Sequence, residues 1–456
     1  MILRFSVSDF RSFGEEETLS LLAGTRVSDH QSHLVAVDGV GANILRTAVI
    51  YGANGAGKSN LYHAMKFLHD LATSDISKDG HILYPQFAFR TLEKKGTMLR
   101  VLFAACGGVY SYEVGLQDGL VVHERSAKYV AESLEVLFER TYDKSTDETS
   151  VSIGRKFVDL MPEKVRALAV VGVPKTRTFL SNISENIQPA HRGEDFAAIM
   201  EWFEQLIFIA PNAEFGGNLV DEYSKTEFHD FAKTVLEAAA GVSDLRIDSY
   251  DMDESGVRQM MSKDNVDASL DVLHHNLPVL VNSPSGHRAM IVRNAENLYR
   301  MDVLRAVHRL EGGHEGILGV GDESDGTKRM LDLLPAFFAV KTHARVCIVD
   351  EMDRSIHSLL MRSFLRMFLD GEGKGQLIFT THENSLLDVD IFRRDEIWFA
   401  EKDTKGMTRL YSLNDYRPRT LRTVRDYYLQ GRYGAIPSEF GFGYVAHASN
   451  SEESPR

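Results

Sequence analysis

Gly52-Ala53-Asn54-Gly55-Ala56-Gly57-Lys58-Ser59 fills every fixed position of the pattern G-x-x-x-x-G-K-[ST], a loop that works only between a buried strand and a helix. Both neighbours are present. The apolar run Thr47-Ala48-Val49-Ile50 predicts the strand, and "KSNLYHAMKFLHDLA" predicts the helix, with Leu61, Met65, Phe67 and Leu68 on or near one face. Backbone N–H groups and the positive end of the helix dipole then converge on a β-phosphate. Lys58 is expected to reach the β/γ oxygens and Ser59 to ligate Mg²⁺, with Asn54, Gly55, Gly57 and Asn60 completing the cradle. ATP and Mg²⁺ are the predicted cofactors, because a complete and correctly flanked motif argues against a glycine turn that binds nothing.

Further along, "RVCIVDEMDR" sets four apolar residues, Val346 to Val349, ahead of Asp350 and Glu351. This predicts a buried strand whose acids meet the phosphates at the carboxyl edge of a parallel sheet. Asp350 is expected in the Mg²⁺ shell, and Glu351 is expected to polarise the attacking water. Strands that merely end in solvated acids are common, so the pair gains its meaning from the loop upstream. About 290 residues separate Lys58 from Asp350. Ordinary P-loop ATPases place the two within one or two βα units, so a large inserted lobe is expected.

The composition narrows the class. With 51 basic and 65 acidic residues the net charge is −14, so a contact with nucleic acid would need a local basic patch. Only Cys106 and Cys347 occur, which leaves neither a disulfide framework nor a zinc-site spacing, and the 17 histidines show no H-E-x-x-H pattern. The N-terminus lacks the apolar core of a leader peptide, and no run approaches the roughly 18 residues of a membrane span. A cytoplasmic protein without a membrane partner is the expectation.

Residues 103–130 alternate between Gly-punctuated runs, as antiparallel hairpins do. "FAAIMEWFEQLIFIA" predicts an apolar helix and "FAKTVLEAAAGV" a second one, while "NLYRMDVLRAVHRL" fits either a helix or a strand. No internal repeat or sustained heptad is present, which argues against a long coiled-coil arm. The expected division is residues 1–130 as ATPase lobe I, 131–310 as an inserted helical or mixed lobe, 311–415 as ATPase lobe II, and 416–456 as a C-terminal segment with a disordered tail.

Two further motifs complete an order. In "DESDGTKRM", about 26 residues before the acids, Ser324, Asp325, Gly326 and Thr327 resemble a degenerate L-S-G-G-Q signature of ABC-type ATPases. About 31 residues beyond Glu351, "QLIFTTH" ends in His382, in the place of the ABC switch histidine. Each has a plainer reading: Ser324-Asp325-Gly326 as an N-cap and turn before a helix, and His382 as a satisfied histidine at a strand end. The joint order of P-loop, signature, acid pair and switch histidine is ABC order.

The chain therefore resembles an ABC-type P-loop ATPase head, α/β with a mixed β-sheet and flanking helices, carrying a large inserted lobe. "LRFSVSDFRSFGEEETLSL" is similar to the first strand of RecF/SMC-type ATPases, whose Phe-Arg-Ser-Phe element lies near the nucleotide; Phe10 and Arg11 hold those positions. More closely, "ESDGTKRMLDLLP", "DEMDRSIHSLL", "TTHENSLLD", "DEIWFAEKD" and "YYLQGRYGAIP" resemble the AbiEii/RloA-type AAA-domain ATPases and the ATPases of overcoming-lysogenization proteins. That resemblance implies catalytic roles for Lys58, Glu351 and His382. It also implies a homodimer enclosing two ATP molecules, each between the P-loop of one chain and Ser324 and Gly326 of the other, with Asp353 and His357 near the crossing. It implies bacterial anti-phage defence beside a separate nuclease or toxin; the alternative is a RecF/SMC-like ATP-dependent DNA clamp. No second active site is expected, and Asp388-Val389-Asp390 reads as local loop or helix. The Arg-rich, Tyr-rich stretch around Arg417, Arg419, Arg422, Arg425 and Arg432 reads either as a grip on nucleic acid or an acidic partner, or as a helix packed through Leu421, Val424 and Tyr428.

Overall fold

Thr47–Tyr51 is buried along its whole length because it lies inside a six-stranded sheet covered on both faces. The strand order is Ile207–Ile209, Val346–Val349, Gln376–Thr380, Thr47–Tyr51, Ile397–Lys402 and Thr408–Ser412. The first five run parallel and the last is antiparallel. Parallel pairing brings the ends of the P-loop strand, the acid strand and the strand before His382 to one edge. The structure, a computed structural model, describes residues 1–37, 41–89, 96–130, 133–211, 222–223, 225–260, 266–275, 277–282, 288–294, 298–387, 389–416 and 424–435.

Strand alternation divides the core. Ala48 and Ile50 face the helix Lys58–Thr73, whose Leu61, Met65, Leu68 and Leu71 pack between this sheet and a second one. Each such leucine contributes about 1.5–3 kcal/mol by leaving water. Val49 and Tyr51 face the helices Asp325–Thr342 and Ser358–Leu369, where Phe337 stacks on Phe364 at 3.5 Å. Arg46 caps the second of these helices, donating to the carbonyls of Phe368, Leu369 and Gly371 at 2.8, 3.2 and 2.6 Å.

The second sheet is antiparallel and seven-stranded, and the predicted hairpins form its middle: Thr97–Ala105, Gly108–Gln117 and Leu120–Val130. Ile2–Ser8 pairs beside them. The Gln376 side chain bolts the two sheets together: its Oε1 accepts from Ile2 N at 2.7 Å while its Nε2 donates to the Ile2 and Leu45 carbonyls. Within the stretch expected as one inserted lobe, Ser133–Asp143 and Glu148–Ile153 extend this second sheet. A third, five-stranded antiparallel sheet holds Val242–Met252, Tyr299–Arg309, Arg288–Arg293, Val279–Asn282 and Glu315–Gly319. The ambiguous stretch near residue 300 is thus a strand. Helix Thr226–Ala240 covers this sheet and shares a core with Met330, Leu331 and Leu334 of the helix Asp325–Thr342.

One expectation is corrected. The apolar run after Phe196 is not one helix but the helix Glu194–Glu204 followed by the strand Ile207–Ile209. Ile207 and Ile209 pair with Cys347 and Val349 on the acid strand, so sheet pairing of β-branched residues overrides helical continuation. In the C-terminal segment, Val424–Leu429 is a helix with Val424 and Tyr428 buried, and Tyr428 stacks on Phe399 at 5.5 Å. The packing reading holds for these residues; Arg417, Arg419, Leu421, Arg422, Asp388 and the tail lie outside the described residues. Among the described residues, no helix is long and apolar enough to cross a membrane.

Candidate nucleotide-binding site

Close packing forces the glycines of the loop. A Cβ on Gly52 would lie 2.4 Å from the Ala400 carbonyl oxygen on the neighbouring strand. At Gly57, the N-cap of the helix, φ is +108° and a Cβ would lie 2.0 Å from Thr408 Oγ1. Thr408 Oγ1 also bonds Ser12 Oγ at 2.6 Å and the Ala56 carbonyl at 2.8 Å. Asn60, expected to complete the cradle, donates to the same Ser12 Oγ at 2.7 Å and so braces the loop from behind. Asn54 and Gly55 form its exposed tip.

Lys58 is buried and donates to the Gly52 and Ala53 carbonyls at 2.6 and 3.2 Å. Burial pulls its pKa down to about 8, against the opposing pull of Asp350, Asp353 and Glu351. Its Nζ also meets His382 Nδ1 at 3.3 Å. Burial, and then the Lys58 charge, lower the His382 pKa, which makes the ring a neutral acceptor for the ammonium. The backbone N–H of His382 reaches both Asp353 carboxylate oxygens at 3.3 Å.

Ser59 Oγ donates to Asp350 Oδ1 at 3.2 Å, so hydroxyl and carboxylate already converge as hard oxygen ligands. Glu351 follows in a left-handed conformation, φ +47°, which costs a non-glycine residue on the order of 1–3 kcal/mol. Its N–H is held by Thr380 Oγ1 at 2.8 Å, and Arg354 stands 3.9 Å from its carboxylate. Arg11 is also left-handed, φ +51°, at the tip of a tight turn closed by reciprocal Phe10 and Phe13 backbone bonds. Its Nε is buried without a hydrogen-bond partner among the described residues, and burial lowers its pKa. A cation so placed suits an anionic ligand.

Lys58, Ser59, Asp350, Asp353 and His382 are thus linked within one chain, and Thr380 ties Glu351 to them. Ser324 and Gly326 are placed otherwise. Ser324 is exposed and caps its own helix, its Oγ bonding Thr327 N at 3.1 Å and Thr327 Oγ1 at 2.9 Å. A Cβ on Gly326 would lie 2.7 Å from the Ser355 carbonyl, so the signature-like loop presses on the turn that follows the acids. His357 caps the next helix, accepting from Leu359 N at 3.2 Å. Sequence reasoning did not single out Ser12, Thr380 or Thr408. Thr380 could have been found as the hydroxyl that ends its strand two residues before His382; Thr408 carries no local signal.

The family described as "AAA domain, putative AbiEii toxin, Type IV TA system" matches residues 48–388, from the P-loop strand through His382. The chain belongs to this AAA-domain family. No curated protein matches it. Among solved structures, the SMC head domain from Thermotoga maritima is 12% identical, with a TM-score of 0.36 over 90% of this chain and 98% of that one. The Smc head domain with an extended coiled coil bound to the C-terminal domain of ScpA, from Pyrococcus furiosus, is also 12% identical, with a TM-score of 0.36 over 94% and 99%. For this AAA-domain chain the fit to a nucleotide rests on its own residues: the buried Lys58, the Ser59–Asp350 pair and the Arg11 Nε without an acceptor.

Proposed function

We propose that the protein is a Mg²⁺-dependent ATPase that works as a dimeric switch, closing on ATP and controlling a separate effector in bacterial defence. Lys58 binds the phosphate chain through its ammonium, and Ser59 and Asp350 hold the metal, which supplies charge neutralisation at the phosphate oxygens. Glu351 orients and polarises the attacking water, with its backbone fixed by Thr380. His382, whose backbone N–H is held by Asp353 and whose ring meets Lys58, would hold the γ-phosphate together with that lysine. The family's description as an AAA domain and putative AbiEii toxin of a type IV toxin–antitoxin system supports a role in such a system.

The observation that carries the dimer is the division of the site. The loop, acids and histidine are connected within one chain, whereas Ser324 is exposed and bonded to Thr327. An exposed hydroxyl at the N-terminus of an 18-residue helix suits the γ-phosphate of a nucleotide held by another copy. Sizing at micromolar protein tests this: Glu351→Gln should dimerise with ATP and stay dimeric, and Lys58→Ala should not bind ATP. A monomeric Glu351→Gln protein in saturating ATP overturns the reading.

A further inference from the structure

The third sheet meets the signature-like loop through a side-chain contact: His308 Nε2 lies 2.6 Å from Glu323 Oε1. His308 belongs to the central strand Tyr299–Arg309, and Glu323 immediately precedes the N-cap Ser324. Strand Glu315–Gly319 is zipped along that same central strand, Val320 is buried in the lobe core, and the chain then turns through Glu323 into Ser324. The Glu323 side chain is 6% exposed, so its carboxylate depends on a donor inside the protein.

We propose that His308 is a positioning residue for hydrolysis in trans: by holding Glu323 it sets the height of Ser324, and so acts on the nucleotide bound by the other chain. This rests on the dimer reading above. Without His308 the Glu323 carboxylate must leave its pocket or lose its partner, and either outcome moves the backbone one residue from the N-cap. A misplacement of about 1 Å can cost on the order of a hundredfold in rate. The lobe, which shares its core with Leu331 and Leu334 of the same helix, is thereby coupled to the partner's site.

The test uses full-length chains. His308→Ala should lower kcat at least about tenfold while KM for ATP and the affinity of the monomer for a fluorescent ATP analogue stay within about twofold. His308→Gln, which restores an N–H for Glu323, should recover most of the turnover. Mixing His308→Ala with the inactive Lys58→Ala chain, which holds no ATP and so cannot lock the dimer shut, is decisive. A mixed dimer has one intact site, built from the loop and acids of the His308→Ala chain and the signature of the other. An equimolar, fully exchanged mixture should therefore regain about a quarter of wild-type activity. Loss of ATP affinity in the His308→Ala monomer, or mixed dimers that regain nothing, overturns the proposal while leaving the dimer intact. If Glu351→Gln forms no dimer with ATP, the dimer fails first and the trans role with it.

Discussion

Thr380 Oγ1 donates to Asp350 Oδ1 at 2.6 Å and accepts from the Glu351 N–H at 2.8 Å, so a single hydroxyl on the neighbouring strand fixes both acids. Thr380→Val keeps the shape and removes both bonds. Asp350 then keeps only the longer bond from Ser59 Oγ at 3.2 Å, while Glu351, already left-handed, loses the acceptor that holds it. Stability should fall by about 1–3 kcal/mol in urea unfolding, and kcat by about tenfold or more. Thr380→Ser should behave nearly as wild type. Unchanged turnover in Thr380→Val would refute the role.

The depressed pKa of Lys58 predicts an opposite pH dependence for stability and for binding. Between about 8 and its ordinary 10.5 the unfolded chain carries a proton that the folded site lacks, so this group makes stability rise with pH across that window. Nucleotide affinity runs the other way, because phosphate oxygens favour the ammonium. The Kd for ATP should weaken by up to about tenfold per pH unit above pH 8, with proton uptake on binding. Equilibrium titrations with a fluorescent ATP analogue between pH 6.5 and 9.5 measure this. Lys58→Arg should flatten the profile, and a flat wild-type curve would contradict the assignment.

Gly57 and Gly55 should separate steric need from backbone need. Both have positive φ, +108° and +78°, but a Cβ on Gly55 meets nothing within 4 Å, whereas one on Gly57 runs into Thr408 and Ser12. Gly55→Ala should cost only about 1–2 kcal/mol of backbone strain. Gly57→Ala should lose more, and should lose nucleotide binding because the helix N-terminus must shift. Thermal melts of the two proteins would decide it; equal midpoints would mean that the loop relaxes freely.

These contacts also show what could be read from the chain. The P-loop was legible because strand, turn and helix are contiguous, and the same holds for Asp350, Glu351 and His382, which end short apolar strands. The brace behind the loop was not, since Thr408 and Ser12 are 396 residues apart and Thr408 lies in no pattern. Ile207–Ile209 was hidden for a related reason: its apolar residues continue those of the preceding helix, and only the open edge beside Cys347–Val349 makes them a strand. At Ser324 the plainer reading and the functional one coexist. The N-cap is visible within one chain, and the phosphate role requires a second.

The buried pair His33 and Glu396 gives a prediction about charge. His33 Nδ1 lies 3.0 Å from both Glu396 oxygens, and Oε2 also accepts from Arg393 N at 2.7 Å. That spacing suits an ion pair, yet burial pushes the Glu396 carboxyl well above the usual carboxylate range and pulls His33 down to about 3, both toward the neutral form. The contact is therefore a neutral acid donating through Oε1 to a neutral imidazole. Glutamine can reproduce it, donating from Nε2 to His33 and accepting from Arg393 N. Glu396→Gln should thus lie within about 1 kcal/mol of wild type at pH 7, whereas Glu396→Ala should lose on the order of 3 kcal/mol. The two groups also act in different pH windows. The unfolded chain protonates His33 below about 6.5, so stability falls from there toward pH 3. The folded chain keeps the Glu396 proton above 4.5, so this carboxyl loses stability as pH rises through its raised folded value. Glu396→Gln removes the second effect and keeps the first. Urea midpoints from pH 4 to 8 should show the acid-side loss intact in Glu396→Gln, and a large loss at neutral pH would mean that the pair is ionised after all.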